Sequence, residues 1–138
     1  VFKKILESNP EHTASLNYLG YMLADQGIRL EEALQMIKKA VDQEPSNGAY
    51  LDSLGWVYYK LNRNDEAETY LKKAADRVRK DPTVHDHLGD LYYRKGQYEQ
   101  ARVAWEQSLA FGQDEEESRK IQKKVEELKI KLAQLEKK

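Results

Sequence analysis

A chain of 138 residues with 40% hydrophobic and 34% charged side chains has the size and composition of one domain with a continuous but thin core. Its 23 Lys plus Arg against 24 Asp plus Glu leave a formal net charge of -1, so no long-range field favours nucleic acid or an anionic membrane. The absence of cysteine excludes disulfides, a thiolate nucleophile and cysteine metal sites, and the longest apolar run, about six residues around Leu54 to Tyr59, falls far short of the roughly 20 that span a bilayer.

In chain order, apolar residues recurring every three and four positions predict helices at 14–26, 30–43, 48–61, 64–79, 82–95 and 98–110, followed by a longer one from 114 onward. No segment alternates cleanly enough to be a strand. The first helix of each pair carries a glycine, and Gly20, Gly55 and Gly89 are 35 and 34 residues apart, while Ala33, Ala67 and Ala101 on the second helices are 34 and 34 apart. A fixed period in this range marks a repeat in which each unit buries its apolar face by stacking on its neighbours. The extra residue of the first copy falls between Gly27 and Arg29. Gly27, Asn62 and Gly96 end the three first helices at one offset from the repeat glycine, and all tolerate positive φ. Asp81 before Pro82, and Asn64 before Asp65 and Glu66, read as N-caps. Gly55 is expected to meet Ala67 where the two backbones approach, with Leu51, Leu54 and Tyr58 facing Leu71, Ala74 and Ala75.

The final segment departs from the repeat. Ile121, Val125, Leu128, Leu132 and Leu135 form a stripe spaced by four, three, four and three, and acidic residues from Asp114 to Glu117 lead into the helix, with Lys137 and Lys138 closing it. A capping helix over the last repeat is expected, with a coiled-coil dimer as the alternative.

The leucine, glycine and tyrosine of the first helices, then the alanine, aromatic and alanine of the second, resemble tetratricopeptide repeats. Leu54, Gly55, Tyr58, Ala67, Leu71 and Ala74 carry the pattern in the middle copy, and Leu88, Gly89, Tyr92, Ala101 and Trp105 in the third. The resemblance implies an all-α, right-handed superhelical solenoid of antiparallel helix pairs with a C-terminal capping helix. It divides the chain into repeats at 13–47, 48–81 and 82–113, a capping helix at 114–138, and, through Phe2 and Pro10, a remnant of a preceding repeat at 1–12. Opening on Val1 within that remnant, the chain reads as part of a longer parent. The phrases YLDSLGWVYY and LNYLGYMLADQG are also similar to repeats in bacterial scaffold proteins, some of them envelope-associated lipoproteins. Neither a cytoplasmic nor a periplasmic location is selected by this.

Nothing in the sequence is arranged for catalysis. His85 and His87, two apart, diverge on a helix and have no third metal ligand at a suitable spacing. Ser53 lacks the glycine-flanked elbow of a hydrolase nucleophile, and the glycines, one per repeat, form no phosphate loop. The expected function is therefore a non-enzymatic scaffold without cofactor or metal, holding a peptide or domain segment on a concave face. Family geometry places on that face Asn17, Tyr21 and Ala24, then Asp52, Trp56, Tyr59 and Lys60, then Asp86, Asp90, Tyr93 and Arg94. Two readings of the aromatic residues stand, as ligand contacts or as packing between helices. Family members that grip chaperone C-termini use a lysine and asparagine, an asparagine, and a lysine and arginine, where this chain has Asn17 and Tyr21, Ser53, and Thr83 and His87. A carboxylate clamp is thus not expected, and the preferred partner is a protein segment with apolar anchors and a Lys or Arg, not nucleic acid or membrane. Self-association through repeat edges, and regulation of a larger enzyme, are the alternatives.

Overall fold

A computed structural model of the protein describes residues 12–137. Among them run seven helices: α1 (Thr13–Gln26), α2 (Leu30–Gln43), α3 (Gly48–Lys60), α4 (Asn64–Arg77), α5 (Pro82–Arg94), α6 (Tyr98–Phe111) and α7 (Glu115–Glu136). The periodicity located each of the first six to within two residues at either end. The expected remnant at 1–12 lies, but for His12, outside the described residues.

Two compact units divide the chain at Arg79 and Lys80. In the first, α1 pairs with α2 and α3 with α4, and α3 also packs on α1 and α2. All residues from Leu51 to Tyr58 are accordingly buried. In the second unit α5 pairs with α6, and α7 lies on α6.

Each helix pair closes on its glycine. A Cβ on Gly20 would stand 2.7 Å from Ile37 Cγ1, one on Gly55 would stand 2.6 Å from Leu71 Cγ, and one on Gly89 would enter the Trp105 ring. The space withheld by the missing side chain is thus filled by the second helix's large residue, four positions after the repeat alanine, at the close backbone approach expected for Gly55 and Ala67. Ala33, Ala67 and Ala101 are fully buried, because any larger residue there would hold the helices apart. Leu51, Leu54, Tyr58, Leu71 and Ala74 are buried as expected, while Ala75 is half-buried.

The turns explain the period. All three first helices end with the same backbone bond, Ile28 N to Leu23 O at 3.0 Å, Arg63 N to Tyr58 O at 2.9 Å and Gln97 N to Tyr92 O at 2.9 Å. Gly27, Asn62 and Gly96 supply the left-handed residue before it, at φ 73°, 62° and 79°. In the second and third pairs the next residue already starts a helix. In the first pair Arg29 intervenes, itself left-handed at φ 50°, so the extra residue is absorbed without disturbing either helix.

Side-chain caps fix most starts. Asp81 accepts from Thr83 N at 2.9 Å with Pro82 in the first turn, Asn47 accepts from Tyr50 N at 3.2 Å, and Asp114 accepts from Glu117 N at 2.8 Å. Asn64 is not the cap expected for α4, since it has already entered the helix and Arg63 holds the cap position. The Arg63 guanidinium lies 4.8 Å from the Tyr58 ring centroid and its Nε donates to Glu66 at 2.7 Å, which ties the turn to both helices without a capping oxygen.

Gly89→Val should lower stability by about 1–3 kcal/mol through overpacking against Trp105, read from the urea midpoint with the slope unchanged. A midpoint equal to that of the unaltered protein would contradict the close approach.

Candidate interaction surface

The candidate residues fall on two faces, one in each unit. In the first unit α3 sets the arrangement. Trp56 donates its indole N–H to Asp25 Oδ1 of α1 at 3.2 Å, the Tyr59 ring stacks on it at 4.8 Å and 8°, and Lys60 Nζ stands 5.0 Å from its centroid. Spacings of three and four residues put all three side chains on one helical face. Trp56 is only 6% exposed. The ring therefore serves as a wall between α1 and α3, and the half-exposed Tyr59 and Lys60 carry the accessible part of the cluster. Asp52 is buried, and Asn17 and Tyr21 on α1 are half-buried. The Asn17 side-chain oxygen is enclosed and, among the described residues, accepts no hydrogen bond, which costs about 1–3 kcal/mol of desolvation.

In the second unit the face on α5 meets α7. Lys124 Nζ donates to Asp86 Oδ1 and to Asp90 Oδ1, each at 2.8 Å. Trp105 Nε1 donates to Asp90 Oδ1 at 3.2 Å and to the Asp86 carbonyl at 3.3 Å. Tyr93 packs beside Tyr98 and Trp105, with centroids 5.3 and 5.8 Å away, and Lys131 Nζ lies 5.1 Å from Tyr93 and 4.7 Å from Tyr98. Tyr93 remains 40% exposed, and Arg94 is exposed beside it. Burial raises the Asp90 carboxyl above its ordinary value, an effect that Asp86 reinforces and that Lys124 and His87 oppose.

Below this face α7 seals the unit. Ile121, Val125 and Leu128 are buried with Ala101 and Trp105, and Leu132 packs at the edge. The stripe then runs off the body, leaving Leu135 47% exposed. Of the histidines on α5, His85 is packed at 5.1 Å on Phe111, and His87 is buried where its charge acts on Asp90. A cavity of about 370 Å³ between α5 and α6 is lined by His85, Leu88, Tyr92, Val103 and Ala104 among others, and by none of the candidate residues. Among the described residues no three His, Cys, Asp or Glu are grouped to hold a metal ion, and no helix is long and apolar enough to cross a membrane.

Lys124, Lys131, Asp25 and Trp105 were not among the candidates. Lys124 lies 34 residues from Asp90 and 38 from Asp86, in a segment that departs from the repeat, so no local signal pointed to it.

Helix pairs closed by glycine at this spacing match the tetratricopeptide repeat family model, over residues 29–82 and again over 53–117. The chain belongs to the tetratricopeptide repeat family. A TPR repeat-containing protein of Pseudomonas aeruginosa is 39% identical over 64 residues, 46% of this chain and 11% of the relative's length. The chain thus corresponds to a small part of that protein. Among solved structures, the Sgt2 TPR domain of Aspergillus fumigatus has a TM-score of 0.78 at 18% identity, covering 91% of this chain and 82% of that one. The first TPR domain of human RPAP3 has a TM-score of 0.78 at 20% identity, covering 94% and 98%. The first TPR of Spaghetti (RPAP3), solved with an HSP90 peptide, SRMEEVD, has a TM-score of 0.75 at 20% identity, covering 88% and 93%. At these identities the structures establish the TPR fold.

A folded-state pKa above the unfolded one means that folding takes up a proton, so Asp90 adds stability as pH falls through that interval and removes it as pH rises. Asp90→Asn abolishes this term. Relative to the variant, the unaltered protein should therefore lose stability as pH rises from the ordinary carboxylate value of about 3.9 upward, in urea melts run at successive pH values. A difference that stays constant with pH, or that changes in the opposite sense, would contradict the raised value.

Proposed function

We propose that this chain is a non-enzymatic protein-interaction scaffold that holds a peptide or domain segment of a partner against the first-helix faces of its repeats. The observation that carries the reading is the membership of the TPR family together with the clustering of aromatic and charged side chains on those faces. On the first unit the proposed face is formed by Asn17, Tyr21, Tyr59 and Lys60, backed by the buried Asp52 and Trp56, and on the second by Asp86, Asp90, Tyr93 and Arg94. Tyr59 and Tyr93 supply broad amphipathic contact area, and Lys60 and Arg94 border them with cationic groups. Trp56, held by Asp25, acts as a rigid backing that costs no ordering entropy on binding.

The binding mode differs from that of carboxylate-gripping relatives. The Spaghetti TPR was solved with SRMEEVD, a peptide ending in two glutamates, a valine and an aspartate. In this chain the matching positions carry Asn17, Tyr21, Ser53, Thr83 and His87, none a permanent cation, and Asp52, Asp86 and Asp90 stand near them in sequence. An acidic C-terminus would find no clamp cation at those positions, whereas a segment with apolar anchors and a basic residue able to compete with Lys124 for Asp86 and Asp90 is complementary. The partner is therefore a protein segment of that kind, with no cofactor taking part.

Two measurements bear on this. Calorimetric titration with SRMEEVD should give no saturable heat at micromolar concentrations, and a micromolar dissociation constant would mean that a clamp exists. For the faces, the protein bearing Lys60→Glu and Tyr93→Ala should capture its partners at least about tenfold more weakly with its helical circular dichroism intact, a loss of about 1.4 kcal/mol. Unchanged capture would remove these faces from the binding surface.

A further inference from the structure

Lys124 differs from the chain's exposed lysines in what surrounds it. Its ammonium lies between Asp86 Oδ1 and Asp90 Oδ1, 2.8 Å from each, and 5.0 Å from the centroid of the Trp105 ring. The indole N–H of that ring bonds Asp90 Oδ1 and the Asp86 carbonyl, so the carboxylate and the aromatic face are held as one unit. Carboxylates supply charge and a rigid aromatic face supplies shape, the combination that selects an alkylammonium over a simple metal cation.

These walls belong to α5 and α6, whereas the occupant belongs to α7. The docking of α7 is secured separately by Ile121, Val125 and Leu128 against Ala101 and Trp105. Removing the Lys124 charge thus leaves the walls and the packed helix in place. Two carboxylates facing one ammonium also keep a residual negative charge, which holds the site selective for cations.

We propose that Asp86, Asp90 and Trp105 form an ammonium-binding cage that Lys124 fills from within the chain, so that residue 124 decides whether this surface accepts a lysine from a partner. Its consequence for partners rests on the interaction reading above, while the cage itself does not. A tethered lysine acts at an effective concentration of millimolar order or more, so it excludes weakly bound external ammonium groups. With Lys124 present, a partner's basic residue must displace it or bind elsewhere. Without it, the second unit becomes a receptor for that residue.

Chemical rescue tests the cage directly. The full chain carrying Lys124→Ala should melt at a lower temperature than the unaltered protein, and n-propylammonium chloride should raise that temperature saturably. Sodium chloride at equal ionic strength should not reproduce the rise, nor should n-propylammonium raise the melting temperature of the unaltered protein or of the Lys124→Ala, Asp90→Asn double variant. Lys124→Met, which keeps an apolar stem against Trp105, provides a readout independent of stability: its Trp105 indole N–H resonance should shift saturably with n-propylammonium. Equal responses of variant and unaltered protein, or a rescue that survives Asp90→Asn, would overturn the proposal. If neither Lys124 variant responds to the amine, the cage assignment is wrong, and the interaction reading still stands or falls on the capture experiment.

Discussion

Close approach of the two helices in each pair is the constraint from which the other features follow. Gly20, Gly55 and Gly89 leave no side chain in the way, and Ile37, Leu71 and Trp105 occupy the space. Glycine in a helix interior costs about 1 kcal/mol relative to alanine, so it persists in three first helices because packing offsets its poor propensity. Once the pairs are this tight, the remaining circumference of each first helix is free to carry other side chains. The residues proposed for binding all lie there.

What those faces present depends on compensation within each unit. In the first, Asp25 takes the Trp56 indole N–H, and a large ring that would otherwise be costly to leave in water becomes a buried wall. In the second, Lys124 and the Trp105 indole answer Asp86 and Asp90. The acidic character expected of α5 from its own sequence is therefore tempered by a residue on α7. Whether an aromatic or acidic side chain is available to a partner is decided by such cross-helix contacts as much as by its position on the helix.

The helices and their turns were legible because local rules govern them. Periods of three and four locate buried faces, positive φ selects Gly27, Asn62 and Gly96, and Asp81 with Pro82 marks the start of α5. Asn64 was misread as a cap because the same residue type suits both a cap and a first helical turn, and the contact of Arg63 with the Tyr58 ring, which occupies the turn, has no local signature. The candidate faces were legible in part. Their residues follow from repeat position, yet the burial of Trp56 and Asp52 depends on what neighbouring helices place beside them.

By itself the sequence determined an all-α chain of helix pairs, the place of its one-residue insertion and the apolar stripe of α7, since each rests on spacing within a helix or a turn. Only the tertiary structure decided that Arg29 absorbs the insertion in a left-handed conformation, that Trp56 is tied to Asp25, and that Lys124 fills the space between Asp86 and Asp90. The last two of these outcomes depend on side chains about 30 or more residues apart meeting at hydrogen-bond distance, as at 31 residues for Trp56 and Asp25 and 34 for Lys124 and Asp90. A helical period constrains which way a side chain points. It does not state which donor or acceptor will be there to receive it.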